Sequence, residues 1–213
     1  MESLLLNTKQ GLTYFGAAFI EEGFEEIIIP SIWEADTFVE KAGGSEILEQ
    51  MFSFKTQGNQ DVCLVPEITG IIQELFRDKF FKTSSSPNYT RKLFYVSRCY
   101  RYETPQMGRQ REFTQLGVEI VTTSQDKTNY QDECKTLLKN LFEKTQTPYS
   151  FNDSVKRGLT YYVENGFEVE CDLLGAQKQM AGGGTYPEGV GFAIGLERWL
   201  LADEIKKGVV KMK

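Results

Sequence analysis

The sequence predicts an α+β fold in which antiparallel strand pairs are interleaved with helices. Three observations carry that prediction. Between Leu93 and Glu119, β-forming residues in rough alternation flank a polar Thr104-Pro105-Gln106-Met107-Gly108 turn, the pattern of two antiparallel strands joined by a loop. From about Leu4 to Glu22, and again from Ser124 to about Lys144, apolar residues recur at helical spacing. Near the end of the chain, Ala181-Gly182-Gly183-Gly184-Thr185-Tyr186 leads through Pro187-Glu188 to Gly189–Arg198, a glycine-rich strand feeding a helix.

Taken in order, the first helix carries Leu5, Leu12, Phe15 and Phe19 on its apolar positions, with Gly23 at its C-cap. Glu25 to Pro30 reads as a strand ended by proline. Met51–Lys55 and Asp61–Val65 form a hairpin around residues 56–60, and a helix then opens at Pro66 and runs to about Phe80. Glu67 and Thr69 suit the capping of that helix's N-terminus. In the 93–119 hairpin, residues two apart share a face, so Arg101 points with Glu103, and Phe113 points with Gln115, Gly117 and Glu119. A face with a guanidinium, a carboxylate and an aromatic ring can hold a nucleotide: the ring stacks on the base and the fork binds phosphate. The helix over 124–144 presents Cys134, Leu137, Leu138, Leu141 and Phe142 as its apolar side. Lys156–Glu168 reads as a strand pair joined by Glu164-Asn165-Gly166, with Tyr161 and Tyr162 on a core strand.

Composition narrows the chemistry. A chain of 213 residues can bury one good core or two small ones. The net charge of −6 argues against a broad nucleic-acid footprint, although the arginines clustered between Arg91 and Arg111 allow a local basic site. The cysteines Cys63, Cys99, Cys134 and Cys171 are scattered and form no Cys-x-x-Cys pair, which points to buried free thiols in a reducing compartment. Met1-Glu2-Ser3 lacks a basic leader and no apolar run is long enough to span a bilayer, so a cytoplasmic location is expected. There is no histidine, which rules out imidazole bases, Ser–His triads and His-ligated metals.

The 97–119 segment closely resembles motif 2 of the class II aminoacyl-tRNA synthetases, and in detail that of the histidyl family. The shared residues are Arg101, Glu103, Pro105, Gln106, Gly108, Arg109, Arg111, Phe113, Gln115, Gly117 and Glu119. The first helix, its turn and the strand to Pro30 resemble motif 1, which in the family forms the dimer interface. Pro66-Glu67-Ile68-Thr69 is similar to the family's amino-acid-binding loop, with Val65 where the family usually carries Arg. Arg157-Gly158-Leu159-Thr160-Tyr161-Tyr162, followed by Phe167-Glu168, resembles a signature of the histidyl family. The segment ending in Gly195-Leu196-Glu197-Arg198 resembles motif 3, reached here by a connection shorter than the family's. These motifs occur in order along nearly the whole chain. The inserted helical domain and the anticodon-binding domain of the full enzymes have no counterpart in it.

The resemblance implies a class II synthetase-type antiparallel sheet flanked by helices. It implies one catalytic domain over 1–213 without an anticodon-binding domain, and a homodimer. The activity it implies is ATP-dependent activation of an amino acid, preferably histidine, to an aminoacyl-adenylate. That reaction tolerates the lack of histidine residues, because the attacking carboxylate is already ionised and the enzyme's task is positioning and charge stabilisation. In the implied site, Arg101 and Arg157 bracket the α-phosphate, Arg198 and Arg109 hold the γ-phosphate end, Phe113 stacks on adenine and Glu103 receives its amino group. Glu67, Thr69 and Gln115 bind the substrate ammonium, Arg157 also meets its carboxylate, and Glu119 and Tyr162 read the imidazole, with Tyr161 also in the amino-acid site. Mg²⁺ accompanies the ATP phosphates, and no protein metal site is implied. Histidine and ATP are the expected partners; tRNA is a weak one, since both tRNA-holding modules are missing. Two alternatives stand beside this reading: a non-catalytic histidine-sensing regulatory subunit of ATP phosphoribosyltransferase type, and aminoacyl transfer to a non-tRNA acceptor.

Overall fold

The computed structural model describes residues 13–42, 46–83, 88–156 and 158–210. Helix α1, residues 13–21, ends as its sequence requires. Gly23 takes a left-handed φ of 81°, its N–H donates to the Ile20 carbonyl at 3.0 Å, and the Phe24 N–H donates to the Phe19 carbonyl at 3.0 Å. The Phe19 and Phe24 rings meet at 6.4 Å, completing a Schellman cap with its apolar contact. Leu5 and Leu12 lie outside the described residues. The strand expected over 25–30 shortens to β1, Glu25–Glu26, which pairs in parallel with Leu93 and Phe94. One further bond, from the Ile27 N–H to the Phe94 carbonyl at 2.8 Å, ends the pairing, and the chain peels away with Ile28 exposed.

The chain next builds β2 (Ile32–Glu34), α2 (Asp36–Ala42), α3 (Glu46–Glu49), β3 (Ser53–Lys55) and β4 (Asp61–Leu64). The expected hairpin is β3–β4, and β2 joins its other side to make a small sheet ordered β2-β4-β3. Helix α4 (Thr69–Leu75) continues through a π-helical turn, Phe76–Phe80, into α5 (Phe81–Thr83).

The large sheet follows: β5 (Thr90–Tyr100), β6 (Glu112–Thr122), α6 (Thr128–Thr145), β7 (Ser150–Val155), β8 (Gly166–Glu170), β9 (Gln179–Tyr186), β10 (Gly189–Gly195) and α7 (Leu196–Lys206). Its seven strands are ordered β1-β5-β6-β10-β9-β8-β7, and every pair but β1–β5 is antiparallel. Alternation sorts the two faces. Leu116, Val118 and Ile120 join Phe192 and Ile194 in a core with Phe15 and Phe19 of α1, Leu138, Leu141 and Phe142 of α6, and Leu200 of α7. Leu93, Tyr95, Cys99 and Val121 face the other way, into a second core with Val65, Phe38 and Ile68, Ile71 and Ile72. Val65 is wholly buried there, so an apolar residue suits its position. All four cysteines are buried free thiols.

The strand pair expected over 156–168 is corrected. Its first strand is β7, upstream, and residues 158–165 form a connection that leaves the ladder. Val155 pairs with Gly166, while the Val163 N–H donates to the Thr185 carbonyl at 3.0 Å, so the loop folds against β9. Tyr161 and Tyr162 therefore lie off the strands.

Candidate functional site

The face of the large sheet opposite α1, α6 and α7 has a floor nearly free of side chains. Gly117 of β6 pairs with Ala193 of β10, which pairs with Gly182 of β9; Glu119 pairs with Gly191, which pairs with Gly184. A β-carbon at Gly117 would overlap the Tyr95 ring and hydroxyl, one at Gly191 the Glu119 carboxylate, and one at Gly184 the Tyr162 ring. These glycines let neighbouring side chains lie flat across the sheet.

Besides β9 and β10, five segments contribute side chains to the cleft above that floor. Glu67 and Thr69 come from the start of α4, Arg101, Glu103 and Arg109 from the β5–β6 loop, and Phe113 and Gln115 from β6. Tyr161 and Tyr162 come from the 158–165 connection, and Glu197 and Arg198 from the first turn of α7. Arg101 and Glu103 share the cleft as expected, but they sit past the end of β5. The Arg101 N–H donates to the Arg111 carbonyl at 2.9 Å and the Glu103 N–H to the Arg101 carbonyl at 2.8 Å, so loop geometry places them. Glu119 does not line the cleft; it lies buried beneath it. Arg157 lies outside the described residues.

At one end, acids and hydroxyls interlock. One oxygen of Glu67 accepts the Gly70 N–H at 2.8 Å and the other accepts the Tyr161 hydroxyl at 3.2 Å. Thr69 and Tyr186 donate to the two oxygens of Glu119 at 2.6 and 2.7 Å. Burial pushes the Glu119 carboxyl up to about 8, against the pull of those two hydroxyls. The Cys99 thiol donates to the Gln115 side-chain oxygen at 3.2 Å, and burial holds that thiol protonated.

At the other end, cations converge. Arg101 donates through Nε to the Pro66 carbonyl at 2.9 Å, and its guanidinium stands 5.3 Å from the centre of the Phe113 ring. Arg109 pairs with Glu103 at 3.2 Å. Arg198 donates to the Gln177 carbonyl, while its buried Nε has no hydrogen-bond partner among the described residues. Burial, with the neighbouring charge of Arg109, lowers the Arg198 guanidinium to about 10, still cationic at neutral pH. Fixed guanidinium forks beside an aromatic ring suit a polyphosphate joined to a base. Among the described residues no group of three or more Cys, Asp or Glu side chains is arranged to hold a metal ion.

Sequence reasoning missed three participants: Tyr186, which orients Glu119; Tyr95, which covers Gly117; and Glu197, which fastens β6 to α7. Tyr186 lies two residues past the last glycine of the run, and its parity with Gly184 places both on the cleft face. The placement of Tyr95 depends on the β5–β6 register, which a loop of this length does not reveal.

A seven-stranded, mainly antiparallel sheet with this cleft is the architecture of a class II synthetase core. Residues 52–186 match the family model of the tRNA synthetase class II core domain (G, H, P, S and T), and the chain belongs to that family. Within it the chain is similar to histidine–tRNA ligases. It is 24% identical to that of Clostridioides difficile (strain 630), in an alignment covering 85% of this chain and 67% of the relative. It is 31% identical to that of Saccharolobus islandicus (strain L.S.2.15 / Lassen #1), covering 73% of this chain but only 39% of that relative. Among solved structures, an ATP phosphoribosyltransferase regulatory subunit/histidyl-tRNA synthetase from Bacillus halodurans C superposes with a TM-score of 0.75 at 14% identity, over 93% of this chain and 79% of that one.

Proposed function

We propose that this chain binds ATP and histidine and joins them as an aminoacyl-adenylate, releasing pyrophosphate. The observation that carries the reading is the meeting of two chemistries in one cleft. Arg101, Arg109 and Arg198 converge with Phe113 at one end, and Glu67, Thr69 and Gln115 gather at the other. Arg101, anchored to the Pro66 carbonyl beside Glu67, would meet the α-phosphate and stabilise the charge that grows there during attack. Arg157 is assigned to its other side. Arg198 and Arg109 would hold the γ-phosphate, Phe113 would stack on adenine, and Glu103 would take its amino group. Glu67, Thr69 and Gln115 would hold the substrate ammonium, with Glu119, Tyr161 and Tyr162 around the side chain. Mg²⁺ would travel with the ATP phosphates and screen their charge, held there chiefly by phosphate oxygens.

We also assign a homodimer, supported by exposed Ile20, Ile28 and Ile32 near the segment that resembles motif 1; light scattering tests it. Buried free thiols fit the cytoplasm.

ATP–pyrophosphate exchange with each of the twenty amino acids, beside Arg157→Ala and Arg101→Ala variants, tests the activity. Exchange with histidine that both variants abolish is expected. Histidine binding without exchange would replace this reading by the sensor. Labelling of a non-tRNA acceptor by radioactive histidine would identify the other alternative.

A further inference from the structure

One polar group near the amino-acid end has no partner. Tyr95 is 1% exposed, and its hydroxyl makes no hydrogen bond among the described residues. A buried unpaired hydroxyl costs free energy that phenylalanine at the same place would avoid.

Its position is set by the ladder. Tyr95 pairs with Gly117, so the two share a face of the sheet. The phenol lies flat over Gly117, because a β-carbon there would overlap the ring and the hydroxyl. Gln115 and Glu119 flank Gly117 on the same strand face. The next residue across the sheet, Ala193, lines the cleft, as does Gly182 beyond it. The hydroxyl therefore lies over Gly117, just beneath the cleft, between two residues assigned to the amino acid.

Neighbouring polar groups are already engaged. Gln115 accepts from Cys99, Glu119 from Thr69 and Tyr186, and Glu67 from Gly70 and Tyr161. We propose that the Tyr95 hydroxyl is completed by the ligand, as a specificity contact for an amino acid whose side chain ends in a hydrogen-bonding nitrogen or oxygen. Burial keeps the phenol protonated, so it donates at neutral pH, and a ring nitrogen of imidazole can accept. Aliphatic and phenyl side chains would leave the hydroxyl unpaired, which disfavours them. The inference rests on the amino-acid reading of this end of the cleft.

The test is calorimetric titration of each of the twenty amino acids into the wild-type chain and Tyr95→Phe, with melting temperatures of both proteins measured without ligand. The variant keeps the ring, removes only the hydroxyl, and is expected to melt no lower than wild type. Its Kd for histidine is expected to rise roughly tenfold, the size of one neutral hydrogen bond made to a ligand. An unchanged Kd overturns the assignment, as does a lowered melting temperature of the unliganded variant, which marks a hydroxyl serving the fold. Wild-type binding of a different polar amino acid, weakened tenfold by the variant, removes histidine from the functional reading and upholds Tyr95. Wild-type binding of apolar amino acids alone, or of none, overturns the Tyr95 assignment together with the histidine reading.

Discussion

The Glu197 carboxylate takes both hydrogens that Thr114 has to donate. The Thr114 N–H lies 2.9 and 2.8 Å from its two oxygens, and the Thr114 hydroxyl donates to one of them at 2.8 Å. Arg98 adds a cation at 3.6 Å. An acid in the first turn of α7 thus ties that helix to β6, between Phe113 and Gln115, and also suits the positive end of the helix. Glu197→Ala would orphan a buried N–H and hydroxyl and is expected to cost about 2–3 kcal/mol in urea denaturation, with Glu197→Gln costing less. If both variants unfold at the wild-type midpoint, the clamp carries no stability.

Glu103, assigned to adenine, is paired with Arg109 within the β5–β6 loop, and Arg109 adds to the burial that lowers Arg198. Arg109→Gln would remove one phosphate ligand and release Glu103. The expected result is a roughly tenfold higher KM for ATP in pyrophosphate exchange, typical of one charge-assisted contact, with a smaller change in kcat. A lowered kcat at constant KM would instead place Arg109 in the transition state.

Burial raises Glu119, so stability should depend on pH in a defined window. The unfolded carboxyl loses its proton near the ordinary value of 4.5, whereas the folded one keeps it up to about 8. Between those limits the folded state binds more protons, and stability falls as pH rises, by up to about 1.4 kcal/mol per pH unit. Its contribution is full below 4.5 and lost above 8. Glu119→Gln should flatten denaturation midpoints across that window, and an unchanged slope in the variant would assign the dependence to other groups.

The glycines of the floor should not tolerate a methyl group. Gly191→Ala would drive a β-carbon into Glu119 and the Val118 carbonyl, and a loss above about 3 kcal/mol is expected in chemical denaturation. At Gly16, in α1, a β-carbon would meet nothing within 4 Å, so Gly16→Ala should stabilise by up to about 1 kcal/mol. Equal effects of the two substitutions would contradict this packing.

Short-range chemistry was legible in the chain. Gly23 ended α1 because only a residue free to adopt positive φ completes that cap, and α6 buried Cys134, Leu137, Leu138, Leu141 and Phe142 because their spacing makes one stripe. The site residues were named through their resemblance to a family pattern, and the described ones except Glu119 line one cleft. Elsewhere the local pattern misled. Tyr161 and Tyr162 look like strand residues, yet the Val155–Gly166 pairing takes them out of the ladder, where Tyr161 can reach Glu67. Glu25 to Pro30 looks like a long strand, yet among the described residues only β5 pairs with it, and only at its start.

Alternation, caps and turns depend on neighbours in the chain, and these settled which segments became helices and hairpins. The tertiary structure decided the register that lays Tyr95 over Gly117 and sets Glu119 beneath the floor, and it brought Glu67, Arg101 and Arg198 into one cleft. Those outcomes rest on pairings between distant strands and on the loss of water around a buried carboxyl, which no short stretch of residues encodes alone.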